Sequence, residues 1–203
     1  MLRKTGYVKT ALSNNTMKLN LTFPGAELIS ITISFSNDVI TGIEFLPLKP
    51  DSNATGPDIL ERKTTIAESG SFPGTVSEQA AFSSKITQQI NAYFLNSKYR
   101  FSLPCKLQLG TQFQQKVWQA LLQIPSGQVK TYGELAKELN TSPRAVGNAC
   151  RHNPFPLVVP CHRVVSASGV GGYAGDTLTT QKGAINYLQI KQWLLIHEKA
   201  SIE

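Results

Sequence analysis

Two short helices in immediate succession are the feature that most constrains how this chain can fold. The stretch TYGELAKELN at 131–140 opens with Thr131 and carries Glu134 three residues later, which predicts a capping box at a helix start. The stretch that follows, TSPRAVGNACRHNP, predicts a second helix with Ser142 as its N-cap and Pro143 at its first position. Only three or four residues separate the two helices. This spacing is typical of a helix-turn-helix, although an ordinary corner between two helices has the same pattern.

The charge distribution favours nucleic acid as a partner of these helices. Residues 1–100 carry ten Lys and Arg against eight Asp and Glu, while residues 101–203 carry ten against five. A basic surface attracts polyanions, although many basic proteins bind none. The second helix has one long cation at its start, Arg144. Its side chain enters the duplex, contacts phosphate or is simply a solvated surface charge. Its other positions are small and offer few donors to base edges, so we expect binding largely independent of sequence.

The composition indicates a globular chain without a membrane-spanning segment. Hydrophobic residues make up 41% and charged residues 16%, and no apolar run approaches the roughly 20 residues of a membrane helix. The start, MLRKTGYVKTALSNN, has no apolar core and does not predict a secretory signal. Three cysteines in such a chain favour reduced thiols over disulfides. We expect a cytoplasmic protein, associated with a nucleoid or nucleus through DNA, and a monomer, since no self-association motif is evident.

The stretch LVVPCHRVV places a cysteine and a histidine side by side between two aliphatic runs. A free thiol has a pKa of about 8.5, and a neighbouring imidazole can help it form the nucleophilic thiolate. Cys161 and His162 are therefore candidates for a nucleophile and its partner. Neighbours on a strand point to opposite faces, so simple packing is the alternative. Cys150, at a core-like position of the second helix, and Cys105, on a connector, are predicted to be structural.

The residues around this pair resemble a known family. PCHRVV at 160–165 follows RAVGNACRHNPFPLVV and precedes GVGGYAG, and together they resemble the signature of the O6-alkylguanine-DNA alkyltransferases, also called methylated-DNA–protein-cysteine methyltransferases. The stretch FSLPCKLQLGTQFQQKVWQALLQIPSGQVKTYGELAKELN is similar to the helices that precede the turn in that family. The resemblance extends from about Tyr99 to Glu198. It implies irreversible transfer of an alkyl group, chiefly methyl, from O6 of guanine in duplex DNA to the cysteine.

The resemblance also implies the details of the reaction. The damaged nucleotide is flipped out of the duplex before transfer, O4 of alkylated thymine is a lesser substrate, and each molecule acts once. Neither a metal nor an organic cofactor is required. Family members that bind zinc do so through Cys and His of the first domain, and this chain has neither in residues 1–100. The segment 176–189 is longer than the usual link to the last helix of the family.

Roles in chemistry follow from the matching positions. Cys161 is the acceptor, and His162 and Glu198 polarise its thiol through a water between Cys161 and His162. Asn153 stabilises the turn before the active segment. Tyr132 crowds the DNA backbone during flipping and contacts the flipped guanine. Each of these has a structural alternative: the carboxylate as surface charge, the asparagine as a helix stop and the tyrosine as packing.

The remaining matched positions predict contacts with DNA and with the flipped base. Arg144 enters the base stack at the place that the target nucleotide leaves. The same helix also presents Pro143, Ala145, Gly147 and Arg151 to the DNA. The alkyl pocket and the backbone that recognises the base are assigned to Val164, Tyr173 and Ala174.

The first half predicts an α+β scaffold. ISITISF at 29–35 alternates, and the turn SND followed by VITGIEFLPL indicates a β-hairpin. An irregular connection covers 47–76. Apolar residues then recur every four positions, which predicts an amphipathic helix along Phe82, Ile86, Ile90 and Phe94. We therefore expect an α+β domain over 1–98, ribonuclease-H-like by resemblance and without catalytic residues. A mostly α domain with the helix-turn-helix covers 99–203.

Two further predictions concern short apolar stretches of the second half. The apolar stretch FPLVV at 155–159 is β-like. The helix in TQFQQKVWQALLQI has one apolar face, formed by Phe113, Val117, Trp118, Leu121 and Leu122.

Two other functions stay open on sequence grounds. The chain could be a non-catalytic module that binds alkylated DNA or acts as a regulator. In that case PCHRV is a recognition loop. It could also be a Cys-His hydrolase of a small substrate, which the adjoining helix pair disfavours.

Overall fold

The computed structural model describes residues 10–13, 16–21, 29–47, 76–173 and 187–200. Ala174, the segment 176–186 and the connection 48–75 lie outside the described residues. Among the residues that the structure describes, no helix is long and apolar enough to cross a membrane. Short 3-10 turns occur at Leu107–Leu109 and Cys161–Arg163. The strands and helices are, in chain order, β1 (Thr10–Ser13), β2 (Thr16–Leu21), β3 (Ile29–Ser36), β4 (Val39–Pro47), α1 (Val76–Leu95), α2 (Gln112–Leu122), β5 (Lys130–Thr131), α3 (Tyr132–Glu138), α4 (Pro143–Arg151), β6 (Val164–Val165) and α5 (Tyr187–His197).

Strands β1 to β4 form an antiparallel meander in chain order. The predicted hairpin is confirmed: β3 pairs with β4, and the tight turn between them contains Asn37 and Asp38. Both turn residues have positive φ, 50° and 57°, a conformation that Asn and Asp tolerate better than most side chains. The alternating residues of β3 predicted to share a face are all buried, namely Ile29, Ile31, Ile33 and Phe35.

Helix α1 covers this sheet and joins it to the second half. The Phe82 ring meets Phe35 edge to face at 5.4 Å. Of the predicted apolar stripe of α1, Phe82, Ile86 and Ile90 are buried and Phe94 is partly buried. Strand β4 also contacts the second half directly, because the Ile43 amide donates to the Pro154 carbonyl at 2.8 Å. The buried residues of both halves form one continuous core. The domain boundary at 98/99 stays a prediction.

The start signals of the two short helices are confirmed. Thr131 and Glu134 form the capping box of α3, and the Ser142 side chain accepts from the Ala145 amide at 3.2 Å, with Pro143 first in α4. Asn140, between the helices, has a φ of 51°, the left-handed conformation that ends a helix. Four residues therefore reverse the chain so that α4 packs against α3. The two-residue strands β5 and β6 pair in parallel and so connect the start of α3 to the segment after Arg163.

The apolar face predicted for α2 is buried only along its centre. Phe113 and Leu122 of α2 are 37% and 44% exposed, whereas Val117, Trp118 and Leu121 are buried. At about 100° per residue, the two exposed positions lie at the margins of the buried face.

The stretch 155–159 forms a compact turn and not a strand. Its Val159 amide donates to the Phe155 carbonyl at 2.8 Å, and Leu157 has a φ of 76°. An apolar run of this length does not distinguish a strand from another buried conformation by its periodicity. The turn delivers Cys161 to the core at the end of α4.

Candidate active site

Asn153 holds the cysteine in place. Its side-chain nitrogen donates to the Val159 carbonyl at 2.8 Å and to the Cys161 sulfur at 3.1 Å, and its oxygen accepts from the Phe155 amide at 3.0 Å. One asparagine therefore closes the turn and contacts the thiol. Cys161 and His162 are both buried. They lie in a 3-10 turn that begins at Cys161, so the opposite-face geometry of a strand does not apply.

His162, Arg163 and Glu198 form a buried polar cluster. His162 Nε2 lies 3.1 Å from Glu198 Oε1, and the guanidinium of Arg163 donates to both carboxylate oxygens, at 2.9 Å from Nε and 2.7 Å from Nη2. Arg163 Nη1 also donates to the Ile124 carbonyl at 2.6 Å. Glu198 is thus a buried, fully hydrogen-bonded residue and not a surface carboxylate.

The electrostatics of this cluster favour a charged carboxylate and a neutral imidazole. Burial alone would raise the pKa of Glu198, but hydrogen bonds from His162 and Arg163 outweigh it and hold the pKa well below its ordinary value. Burial lowers the pKa of His162 below its ordinary value although Glu198 opposes the change. An ionised Glu198 can only accept, so a neutral His162 donates from Nε2. Its Nδ1 is then an acceptor, and this buried atom has no hydrogen-bond partner in the described part of the protein.

The thiol itself is protonated at rest. Burial raises the pKa of Cys161, and Asn153, the Lys191 ammonium and the Tyr173 hydroxyl act in the opposite direction. Lys191 is fully buried, and its Nζ donates to the Val164 carbonyl at 2.7 Å and the Gly172 carbonyl at 2.9 Å. The site therefore contains groups that would stabilise a thiolate once the proton has left.

Tyr132 stands between α4 and the loop after β6. A Cβ on Gly147 would lie 3.8 Å from its ring, and a Cβ on Gly171 would lie 3.4 Å from it. The Tyr132 hydroxyl donates to the Gly172 carbonyl at 3.2 Å. Lys191 Nζ lies 5.8 Å from the ring centroid. Tyr132 is therefore close to the buried lysine, on the side of the site that faces α4.

A cavity opens beside Cys161. Tyr173, predicted to line the alkyl pocket, lies on it with Tyr187. Val164 does not line it, and its carbonyl is occupied by Lys191. The cavity wall includes part of the first-half sheet and the end of α4, namely Ile43, Glu44, Phe45, Leu46, Cys150, Arg151, Asn153 and Pro156.

Helix α4 separates its buried and exposed positions cleanly. Arg144, Pro143 and Arg151 are exposed, Ala145 and Gly147 are half-buried, and Val146, Ala149 and Cys150 pack inward. Of the five residues predicted to face DNA, three are thus exposed and two half-buried, and their contact with DNA stays a prediction. No cluster of three metal-ligating side chains occurs within the described ranges.

Three residues of the site were not predicted from the sequence. Arg163 stands in the PCHRV motif itself. Lys191 falls on the same face of α5 as Leu194, Leu195 and Glu198, so two charged residues interrupt an apolar stripe, a pattern that could have indicated a buried pair. Tyr93 of α1 donates to Glu198, and its position in an apolar stripe gives no sign of this contact.

The buried thiols predict a loss of stability at alkaline pH. Burial raises the pKa of Cys105 to about 12 and raises those of Cys150 and Cys161. Above about pH 9 the unfolded chain loses thiol protons that the folded chain keeps, so these thiols destabilise the fold as pH rises. Burial also raises the pKa of Tyr93, Tyr132 and Tyr173, which adds to the loss near pH 10. Lys191, with a pKa lowered to about 8, acts in the opposite direction up to about pH 10.5 but is one group against six.

The unfolding free energy should therefore fall by about 2 to 6 kcal/mol per pH unit between about pH 9 and 10.5, with the steeper slope at the upper end. Urea unfolding at a series of pH values measures the slope. Cys105→Ala should give a shallower decline, and a free energy that rises throughout this interval would contradict the assignment of protonated thiols.

Comparisons with known protein families agree with the motif. The profile described as 6-O-methylguanine DNA methyltransferase, DNA binding domain, matches residues 112–200. A methylated-DNA–protein-cysteine methyltransferase of Mycobacterium tuberculosis is 46% identical over 101 residues, which are 48% of this chain and 60% of that protein. The one from Methanosarcina mazei is 37% identical over 146 residues, 70% of this chain and 81% of that protein. The chain thus spans about 60% of the length of the mycobacterial relatives.

A solved structure has the same overall arrangement. The crystal structure of Mycobacterium tuberculosis OGT in complex with DNA superposes with a TM-score of 0.55 at 33% sequence identity. The superposition covers 84% of this chain and 87% of that one. The similarity therefore extends beyond the second half of the chain.

Proposed function

Because the chain belongs to the methylated-DNA–protein-cysteine methyltransferase family, we propose that it repairs DNA by moving a methyl group from O6 of guanine to Cys161. One observation carries this proposal. The thiol lies at a cavity, contacts Asn153 at 3.1 Å, and adjoins a buried His162–Glu198 pair in which only the imidazole Nδ1 lacks a partner. A purely structural cysteine needs none of these groups.

The first step is removal of the thiol proton. The Nε2 proton of His162 is hydrogen-bonded to Glu198, so Nδ1 is the atom that accepts the thiol proton. In our proposal the proton passes through a water that bridges Cys161 and Nδ1. The positive charge that forms on the imidazole is balanced by the carboxylate. Asn153 and Lys191 stabilise the thiolate that remains.

The second step is displacement at the methyl carbon. The sulfur–carbon bond forms as the bond from carbon to O6 breaks, and the electron pair goes to the guanine. The proton that left the thiol returns to the guanine, so that unmodified guanine and S-methylcysteine are the products. The thioether is stable, and nothing in the reaction regenerates the thiol. Each molecule is consumed by one transfer.

The DNA is held, in our proposal, by α3 and α4 acting as a helix-turn-helix. Positive φ at Asn140 makes the short turn possible, and α4 presents the small side chains of Ala145 and Gly147 beside two exposed arginines. Small residues allow close approach of the duplex backbone but supply few base contacts. The target guanine must leave the stack to reach a buried thiol, and Arg144 takes its place. Tyr132 borders the path to Cys161. O4-methylthymine is a lesser substrate.

Arg144→Ala should weaken binding to duplex DNA about ten- to a hundredfold at low salt, because the helix loses a cation at its DNA-facing start. Fluorescence anisotropy with a labelled lesion duplex measures the dissociation constant, and the rate of transfer at saturating DNA tests the role in flipping. Lys85→Ala removes an exposed cation of α1 and is the matched control. Equal effects of the two substitutions would contradict a specific role for Arg144.

Two coarser features complete the proposal. We infer a ribonuclease-H-like first half, which the antiparallel meander followed by α1 supports. We also infer that the protein works as a monomer on duplex DNA, in the cytoplasm or wherever the chromosome lies, without a cofactor.

Analysis of the DNA tests the function. A duplex with a single O6-methylguanine is incubated with one equivalent of protein and digested to nucleosides. Methyl transfer predicts that the modified deoxynucleoside disappears and deoxyguanosine takes its place. A non-catalytic binding module, the alternative, would leave O6-methylguanine intact while the duplex stays bound.

A further inference from the structure

We propose that Tyr93, at the end of α1 in the first half of the chain, is a positioning residue for the reaction at Cys161; this rests on the proposed function. Tyr93 is fully buried, and its hydroxyl donates to Glu198 Oε1 at 2.7 Å. The same oxygen accepts from His162 Nε2 at 3.1 Å and from Arg163 Nη2 at 2.7 Å. The tyrosine and the histidine therefore share one carboxylate oxygen.

The shared oxygen explains what the hydroxyl does. Arg163 donates to both carboxylate oxygens and so fixes the plane of the Glu198 carboxylate from one side. The Tyr93 hydroxyl approaches Oε1 as a further donor and holds that oxygen where the imidazole of His162 meets it. A buried carboxylate needs its hydrogen bonds to stay in place. Without the hydroxyl, Glu198 loses a contact that fixes the orientation and tautomer of His162, whose Nδ1 takes the thiol proton.

The surroundings of Tyr93 keep the hydroxyl rigid. Its ring packs against Phe94, Phe101 and His197 at centroid distances of 5.4, 5.2 and 5.2 Å. Its backbone carbonyl lies 2.9 Å from His197 Nε2. Two consecutive residues at the end of α5, His197 and Glu198, are thus held by the main chain and the side chain of one tyrosine. Through this connection the first half of the chain sets the position of a group in the second-half site.

Tyr93→Phe removes only the hydroxyl. We expect single-turnover transfer from the O6-methylguanine duplex to slow about tenfold, with the duplex dissociation constant and the cooperative unfolding transition retained. Tyr99→Phe is the matched control, since its ring also contacts Phe101 but lies half-buried away from Glu198. A Tyr93→Phe protein that transfers methyl at the wild-type rate overturns the proposal.

A double-mutant cycle separates positioning from general stability. If Tyr93 acts through Glu198, the Tyr93→Phe substitution should have little further effect once Glu198→Gln is present. A tenfold loss in both backgrounds would mean that the hydroxyl acts only on packing and would overturn the proposal. His162→Gln is the second background if Glu198→Gln does not fold, and the same non-additivity is expected there.

A reaction without DNA keeps this test separate from the proposed function. Alkylation of Cys161 by iodoacetamide, followed by peptide mapping, reports how readily the thiol loses its proton to His162. Tyr93→Phe should slow this alkylation several-fold, again only when Glu198 is present. If wild type transfers no methyl group but shows this dependence, the function fails and the positioning role stands. If transfer occurs and the alkylation rate is unaffected by Tyr93→Phe, the positioning role fails alone.

Discussion

Replacing Cys161 with alanine is expected to abolish transfer of the methyl group from O6-methylguanine and to leave binding of the lesion duplex nearly unchanged. The sulfur is the only atom at the site that we assign to attack the methyl carbon, so no partial activity should survive. The proposed DNA contacts lie on α3 and α4, and the small volume removed from the turn after Pro160 does not alter them. Single-turnover conversion and fluorescence anisotropy give the two quantities.

Cys105→Ala is the control for this substitution. Cys105 is half-buried on the connector before α2, and its sulfur is near the Leu103 carbonyl at 3.8 Å, away from the His162–Glu198 pair. This variant should transfer methyl at the wild-type rate. Transfer by the Cys161→Ala protein would identify another acceptor and refute the mechanism.

Glu198→Ala should lower the unfolding free energy by about 3–5 kcal/mol, because it leaves the buried guanidinium of Arg163 without its partner. The same change removes the acceptor for His162 Nε2 and for the Tyr93 hydroxyl, so two further buried polar groups lose their contacts. Transfer should also fall at least a hundredfold in whatever fraction of the protein stays folded. Urea unfolding, with transfer assayed at low temperature, measures both effects.

Glu138→Ala provides the comparison with an exposed ion pair. Glu138 bonds Lys130 at the surface, and both side chains are more than a third exposed. Its loss should cost less than about 1 kcal/mol. A Glu198→Ala protein no less stable than Glu138→Ala would show that the buried cluster is not held as the structure describes.

Local signals in the sequence were sufficient to predict the helices and turns that surround the candidate site. The cap residues Thr131 and Ser142 and the turn at Asn140 were predictable because each satisfies backbone groups within a few residues of itself. The hairpin of β3 and β4 was predictable for the same reason, since alternation and a two-residue turn are local properties. The motif PCHRV identified the cysteine and the histidine by resemblance.

Contacts between distant parts of the chain were not predictable in this way. Tyr93 and Glu198 are separated by 105 residues, and neither the stripe of α1 nor that of α5 indicates that the two helix ends meet. The stretch FPLVV forms a turn because the nearby side chain of Asn153 bonds its backbone, a condition that the apolar pattern of the five residues does not contain. The pattern placed Phe113 and Leu122 on the apolar face of α2, but it gives the direction of that face and not how much of its width is buried.

The most direct test of the central claim, that Cys161 accepts one methyl group and is then consumed, is the intact mass of the protein after incubation with an excess of O6-methylguanine duplex. The account predicts a mass gain of one methyl group per molecule, located on Cys161 by peptide mapping, and one guanine formed per protein however much DNA is added. No mass gain with the duplex still bound would contradict it and favour a binding module. More than one guanine per protein would contradict single use.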